Sequence, residues 1–517
     1  MSLLGRRAFL QLAAASALAR PGRAAAEADT RALGVHQATR NTWHGPSGLG
    51  SLFTERPLSY KPYPGAARTP LPGGAASAST SLAEVVGGYT PAMGFSGESI
   101  PLALLALLLH ITNGVTGTVR GSDPPEHRRA APSAGALYAG ELYVVAERVD
   151  GLAPGVYSYA VAQHALVSLR GGRFLDQLAA AVEAPDAITG AACGVLLTNV
   201  FQRYAWRYGP RGYRYALIDS GHIGENLRLA ATAAGLGHAS SLRFHDDALN
   251  TVLGIDGREE AVCALHALGL ESDARGAPAR RTLGERGVAD RSLAAVERYH
   301  EATKLVPGTL LSAPAGAAPA TPAEPPLSGA VFALPATPAP TLPVARAIEQ
   351  RRSAHGFREE AIALEALGFA SEMARCPGLG VRLVAHRVQG LAPGLYQSLP
   401  GGHALRTLRA GSLEGPLVRA CLFQDLAGSA AAAFAWVAGL GCAATAGERS
   451  YRDQLLEAGA AAERLYLAAE SLGLAARNLA GFFDDSLDDL LGLDGREFAV
   501  VHFTLLGSET KAATLGS

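Results

Sequence analysis

The sequence predicts an α+β protein built from two tandem copies of one domain. Three observations carry that prediction. Residues 211–260 and 449–498 align at a constant offset of 238 without a gap, with 22 identities in 50 positions, against about four to five expected by chance in so Ala-rich a chain. Each copy mixes stretches of helical period with short β runs. Between the copies lies a segment dense in Ala, Pro, Gly and Thr that has no hydrophobic periodicity, the composition of a surface-running connector.

In chain order, the first element is Gly5-Arg-Arg-Ala-Phe-Leu-Gln11, followed by an Ala/Leu run to Ala19 and small residues at Ala24 to Ala26. This is similar to a twin-arginine export signal, so residues 1–28 are expected to be a signal peptide and the product periplasmic or otherwise exported. The apolar run is too short for a permanent span, which needs about 20 residues, and no membrane anchor is expected. The first domain is placed at 30–272, with β runs at Glu141 to Val145 and Gly194 to Leu197 and a helix from about Arg214 to Ala234. A connecting arm and linker follow at 273–342, and the second domain at 343–510, with a β run at Ala499 to Leu505. Both copies carry Arg-x-Tyr-Arg (from Arg211 and Arg449), then Phe-x-Asp-Asp, and close on Leu-Gly-x-Asp-Gly-Arg-Glu.

Composition bounds the function. The 517 residues total 53.2 kDa, too much for one ordinary domain, and 48% are hydrophobic against 18% charged, enough for substantial cores. The formal charge of −1 leaves no positive field to gather nucleic acid. Lysine is scarce: Lys61, Lys304 and Lys511 are the only three. The five cysteines, Cys193, Cys263, Cys376, Cys421 and Cys442, form no Cys-x-x-Cys pair and have no nearby His at ligand spacing, so no metal site is expected. No P-loop, Ser-His-Asp grouping or dinucleotide glycine motif occurs.

The halves differ where it matters. The alignment offset falls from 262 at Phe95 and Phe357 to 239 at Gly151 and Gly390, so the first half holds 23 extra residues, including Pro132-Ser-Ala-Gly-Ala-Leu-Tyr138. The second half instead has Arg351-Arg-Ser353, where the first has Tyr89, Thr90 and Pro91. These features, with Tyr208-Gly-Pro-Arg-Gly-Tyr-Arg-Tyr215 and an arm at Tyr299 to Lys304 echoed by His36 to Arg40, resemble the nitroreductase-like flavoproteins. More narrowly they resemble the SagB/ThcOx-type dehydrogenases, and the resemblance covers both halves.

That resemblance implies two nitroreductase-like, FMN-dependent domains paired as an intramolecular pseudo-dimer, monomeric in chain count. It implies one FMN site shared between them. Arg351, Arg352 and Ser353 would hold the phosphate; planar, permanently charged guanidinium forks suit phosphate oxygens. Pro132, Ser133, Ala134 and Gly135 would let backbone amides approach the flavin ring, and Asn478, Leu479 and Gly481, in the loop to Phe482, would lie beside it. The other composite site, joining Tyr89, Thr90 and Pro91 to the missing loop, is expected to be inactive. The branch's Lys-Tyr pair is here Arg207-Tyr208. Arg207 cannot act as a base, but it can orient an anionic or carbonyl group. Tyr208 and Tyr213 are the candidate proton carriers, provided that Arg207 or Arg211 lowers a tyrosine pKa.

The implied function is hydride removal by FMN from an organic donor, of the small-molecule or peptide-derived, azoline-like kind. Two alternatives stand beside it: an NAD(P)H-dependent nitro or quinone reductase, and a flavin- or ligand-binding module without turnover.

Overall fold

The computed structural model describes residues 32–42, 56–73, 79–118, 127–271, 294–305, 327–336, 339–442 and 447–510. The signal-like residues 1–28, most of the linker, the Cys442 side chain and Lys511 lie outside them. Seven strands make the first sheet: β1 (Arg68–Pro70), β2 (Gly140–Ala146), β3 (Gly155–Ala160), β4 (Ala165–Gly171), β5 (Cys193–Val200), β6 (Gly237–Ser241) and β7 (Glu260–Gly269). Their spatial order is β1-β4-β3-β2-β5-β7-β6, antiparallel throughout. The second sheet repeats that order with β8 (Val331–Ala333), β9 (Gly380–Ala385), β10 (Gly394–Ser398), β11 (Ala404–Ala410), β12 (Ala432–Gly439), β13 (Ala475–Asn478) and β14 (Phe498–Gly507). The duplication read in the sequence is thus a duplication of topology. One boundary needs correction. The edge strand β8 lies inside the stretch assigned to the linker, and it pairs with β11 from Val331 opposite Arg406 to Ala333 opposite Ala404. Three residues between prolines are too short to show a period.

Two long helices fill the space between the sheets, α3 (Gly212–Ala233) and α7 (Arg449–Ser471). Both are buried on nearly every face, as a helix covered from all sides must be. They touch through glycine. A Cβ at Gly221 would overlap the Leu456 carbonyl oxygen, and one at Gly459 would overlap that of Ile218. These glycines are 238 residues apart, so the same repeat position meets itself across the interface and only glycine admits so close a crossing.

The Arg-x-Tyr-Arg motifs lock this crossing. Arg211 and Arg214 pair with Asp484 of the other half at 2.5 and 2.6 Å, and Arg449 and Arg452 pair with Asp246 at 2.6 and 2.7 Å, all buried. Each aspartate opens the Asp-Asp helix start of its own half, where the amides at a helix N-terminus favour an anion. The two arms complete the clamps. Helix α1 (Ala32–Ala38) offers the His36 carbonyl, and Thr39 just beyond it a hydroxyl, to Arg214, while Leu305, beyond α4 (Ala294–Ala302), donates its N–H to Asp246 at 2.9 Å. Among the described residues no helix is long and apolar enough to cross a membrane, and no cluster of His, Cys, Asp or Glu could hold a metal. Cys193, Cys263, Cys376 and Cys421 are free thiols.

Candidate functional site

Helix α5 (Val344–Gln350) ends at Arg351. There the buried guanidinium lies over the Tyr466 ring, 5.2 Å from its centroid, and Nε donates to the Ala130 carbonyl of the first half at 3.0 Å. Its Nη1 is buried without a hydrogen-bond partner. Arg352 donates to the carbonyls of Glu349, Arg351 and, across the lobes, Thr116. Burial, with Arg351 and Arg128 beside it, pulls its guanidinium below the ordinary arginine range. Among the described residues neither arginine has a carboxylate at ion-pair distance. A buried donor without an acceptor, beside a second guanidinium and with only the more distant Glu470 opposing their charge, is chemically fitted to a phosphate. Ser353 Oγ lies 3.0 Å from the Tyr466 hydroxyl, which also accepts the Asn478 N–H at 2.8 Å.

The opposite wall is the first-half segment from Ala130 to Tyr138. Ser133 Oγ bonds the Tyr204 hydroxyl at 2.8 Å and accepts the Tyr138 N–H at 2.9 Å. The Ala134 N–H donates to Asp219 Oδ2 at 3.0 Å, so it is already committed and cannot also serve a ligand. Gly135 takes φ +61°, and a Cβ there would overlap the Tyr208 hydroxyl and lie 3.4 Å from Arg207 Nη1. Arg207 and Tyr208 therefore end helix α2 (Phe201–Tyr208) directly against the loop. Burial pushes the Tyr208 hydroxyl well above the ordinary tyrosine value, outweighing the opposing pull of Arg207. The expected lowering of its pKa is thus corrected: Tyr208 keeps its proton and is a donor.

The third wall is Asn478 to Phe482. The Asn478 amide is fixed at both ends, facing His222 Nε2 at 2.9 Å and accepting from Thr504 at 2.6 Å. His222 Nδ1 faces the Ile218 carbonyl at 2.8 Å, and burial holds the ring neutral, with its pKa lowered to about 3. Leu479 is buried and its N–H pairs with Phe503. Ala480 accepts from the Tyr215 hydroxyl at 2.6 Å, and Tyr215 meets Tyr208 edge to face with ring centroids 4.9 Å apart. Gly481 accepts from Gln424 at 2.9 Å. Contacts thus run unbroken from Arg351 through Tyr466 to Asn478, and from Gly481 through Tyr215 to Tyr208 and Gly135.

Tyr213 is not part of this cleft. It is fully buried among Phe201, Tyr299 and His300, with its hydroxyl 3.1 Å from Thr303 and its pKa pushed up to about 12 by burial. It belongs to the arm and clamp, as its repeat partner Tyr451 does beside His36. Contacts join Arg351 to Ala130 near Pro132, Gly135 to Arg207 and Tyr208, and Ser353 through Tyr466 to Asn478. Sequence reasoning missed Asp219, Glu463 and Tyr466. Burial raises Asp219 to about 7 and Glu463 to about 8. All three lie on the long central helices, and no pattern in the sequence singles them out.

On the equivalent face the positions of Arg351 and Tyr466 are taken by a different pairing, and a cavity of about 170 Å³ lies beside Ser240 to Arg243, lined also by Glu183. Tyr89 stands at the repeat position of Arg351, and Arg228 at that of Tyr466. Arg228 lies over the Tyr89 ring, 4.3 Å from its centroid, so the same stack is made with the partners exchanged. Glu225, the counterpart of Glu463, binds Arg228 at 2.6 Å and Arg464 at 2.9 Å. Tyr89 continues through His238 to His266 at 3.0 and 2.9 Å. In place of the missing loop, Cys376 faces Glu457, the counterpart of Asp219, at 3.5 Å.

The nitroreductase family model matches residues 94–270 and 406–507. A protein of Methanocaldococcus jannaschii named as a nitroreductase is 34% identical over 159 residues, covering 30% of this chain and 77% of its own length. The trifolitoxin-processing protein TfxB of Rhizobium leguminosarum is 32% identical over 167 residues, and there the match spans only 44% of the relative. A nitroreductase-type crystal structure from Anabaena variabilis superposes with a TM-score of 0.73 at 24% identity, covering 93% of this chain and 99% of that one. That likeness extends the fold over both halves. The repeated seven-stranded topology and a family match in each half lead to one statement: this chain belongs to the nitroreductase family, as a tandem of two nitroreductase-like domains.

Proposed function

We propose that the two domains act as an intramolecular pseudo-dimer holding one FMN in the composite cleft, and that the protein is a SagB/ThcOx-type dehydrogenase acting on an organic donor. The observation that carries this reading is the Arg351 Nε bond to the Ala130 carbonyl. It ties the cationic end of one domain to the small-residue loop of the other, while on the symmetry-related face Arg228 pairs with Tyr89 and Glu225 with Arg464. Bound FMN would supply the hydride acceptor. The chain's own part follows from its residues. Arg351, Arg352 and Ser353 would bind the phosphate, Pro132 to Gly135 and Asn478 to Gly481 would enclose the ring, and Arg207 would orient an anionic or carbonyl group. Tyr208, protonated at neutral pH, would donate a hydrogen bond to the substrate. The relationship to TfxB, named for trifolitoxin processing, supports a role in modifying an organic product.

An NAD(P)H-dependent nitro or quinone reductase is the second reading, favoured by the family name shared with the M. jannaschii relative. Export under the twin-arginine signal would remove the protein from soluble NAD(P)H and weigh against it. Stopped-flow reduction of the FMN-loaded protein separates the two. Bleaching by an azoline-containing peptide but not by NADPH supports the dehydrogenase, rapid bleaching by NADPH supports the reductase, and tight binding with neither supports a module without turnover. Arg351→Ala with Arg352→Ala should weaken FMN binding, because charge-assisted phosphate contacts contribute about 1.5–3 kcal/mol each. Unchanged affinity by fluorescence titration would remove both from the site.

A further inference from the structure

Among the described residues, five non-glycine residues have left-handed backbone: Ala136, Tyr138, His164, Leu422 and Phe423. Ala136 and Tyr138 belong to the loop already placed at the cleft. Leu422 and Phe423 follow helix α6 (Glu414–Ala420), both at φ +56°. A left-handed Leu-Phe pair is costly for both side chains and persists only where the surroundings impose it. The imposing contacts are specific. The Phe423 N–H donates to the Val418 carbonyl at 2.8 Å, and Gln424 Nε2 bridges the carbonyls of Cys421 and Gly481, each at 2.9 Å. A Cβ on Gly481 would come within 3.0 Å of Leu422 Cδ1. The strained turn is thus fastened onto the loop that forms the third wall. Phe423 is nevertheless 52% exposed.

We infer that Leu422 and Phe423 form an apolar lip on the composite cleft and select substrates that carry a flat or branched apolar group beside a carboxylate or carbonyl. The polar half of that specification comes from Arg207, which is exposed and lies 5.7 Å from the centroid of the Tyr208 ring; Tyr208 in turn meets Tyr215, whose hydroxyl bonds the Ala480 carbonyl next to Gly481. The chain contains its own control. Matching bonds, His245 N–H to Ala181 O and Phe483 N–H to Ala420 O, place Glu183 at the position of Leu422 on the face without Arg351. There Glu183 faces Arg243, the counterpart of Gly481, at 3.7 Å, and no non-glycine residue of that turn is left-handed. The apolar, strained form occurs only on the face that keeps Arg351.

This inference rests on the flavin reading, and its test separates the two. Protein loaded with FMN and reduced by dithionite is reoxidised by 1,4-naphthoquinone, a flat apolar acceptor, or by ferricyanide, a small hydrophilic one. Phe423→Ser should keep the flavin content and lower the ratio of naphthoquinone to ferricyanide rates about tenfold, the size expected for losing part of one aromatic contact. An unchanged ratio at full flavin content would overturn the lip alone, whereas wild-type protein that takes up no FMN would overturn the flavin reading and the lip with it. Independently of flavin, Phe423→Gly should leave the thermal midpoint unchanged or higher, since glycine adopts positive φ without strain. A fall of several degrees would show that the ring serves the fold, and would overturn the inference.

Discussion

Glu225 and Glu463 occupy one position of the repeat, and their surroundings push their pKa values in opposite directions. Glu225, between Arg228 and Arg464, is held down at about 2, whereas Glu463 is raised to about 8 by burial that Arg351 only partly offsets. An acid whose folded pKa exceeds its unfolded value stabilises the fold fully below the unfolded value and loses that contribution as pH rises through the folded value. For Glu463 the window runs from about pH 4 to pH 8. The thermal midpoint of flavin-free protein should therefore fall across it, and Glu463→Gln should flatten the fall; a parallel curve by calorimetry would show that the carboxyl is already charged. Residue chemistry of this kind was only partly legible in the sequence. Arg351, Arg352, Ser353, Arg207 and Tyr208 are recognisable because guanidinium and hydroxyl groups cluster in short runs. Tyr466 and Asp219 are not, since the contacts that tie them to Ser353 and Ala134 span more than 80 residues of chain. Leu422 and Phe423 carry no signal at all, because neither side chain favours the backbone they adopt.

At the scale of elements, the long helices were legible and their purpose was not. The helix expected from Arg214 to Ala234 is observed as Gly212–Ala233, and the three β runs are found within β2, β5 and β14. The Arg-x-Tyr-Arg motif marked the repeat, yet its arginines act across the interface on the aspartates of the opposite half, which no pattern within one copy reveals. Asp246 and Asp484 are both held below the ordinary carboxylate range by those arginines in spite of burial. Their contribution is present above about pH 4 and lost as pH falls through the depressed values. Removing one partner strands buried charges, so Asp484→Ala should destabilise by about 3–5 kcal/mol in urea unfolding. A change below about 0.5 kcal/mol, the usual size at surface positions, would show that the clamp is dispensable.

For the whole molecule, the unequal faces predict stoichiometry. FMN should bind at one equivalent per chain, while the thermal midpoint should keep rising with free FMN, the stabilisation reaching about 2.7 kcal/mol at a ligand concentration of 100 times Kd. Two equivalents by calorimetric titration would contradict the loss of the second site to the pairing of Arg228 with Tyr89. Complementary losses visible in the aligned halves pointed to this asymmetry. How the losses were refilled was hidden, because Tyr89 and Arg228 stand far apart in the sequence of the first half and meet only in the folded domain.

The glycine crossing of α3 and α7 has a consequence for how such a protein can vary. In a homodimer, every substitution beside the twofold axis is written twice, and a change that suits one pocket is forced on the other. Joined in one polypeptide, the two sides of the axis answer to separate codons. One can be traded for rigidity, with arginines and histidines set where a ligand would sit, while its twin stays open to new chemistry.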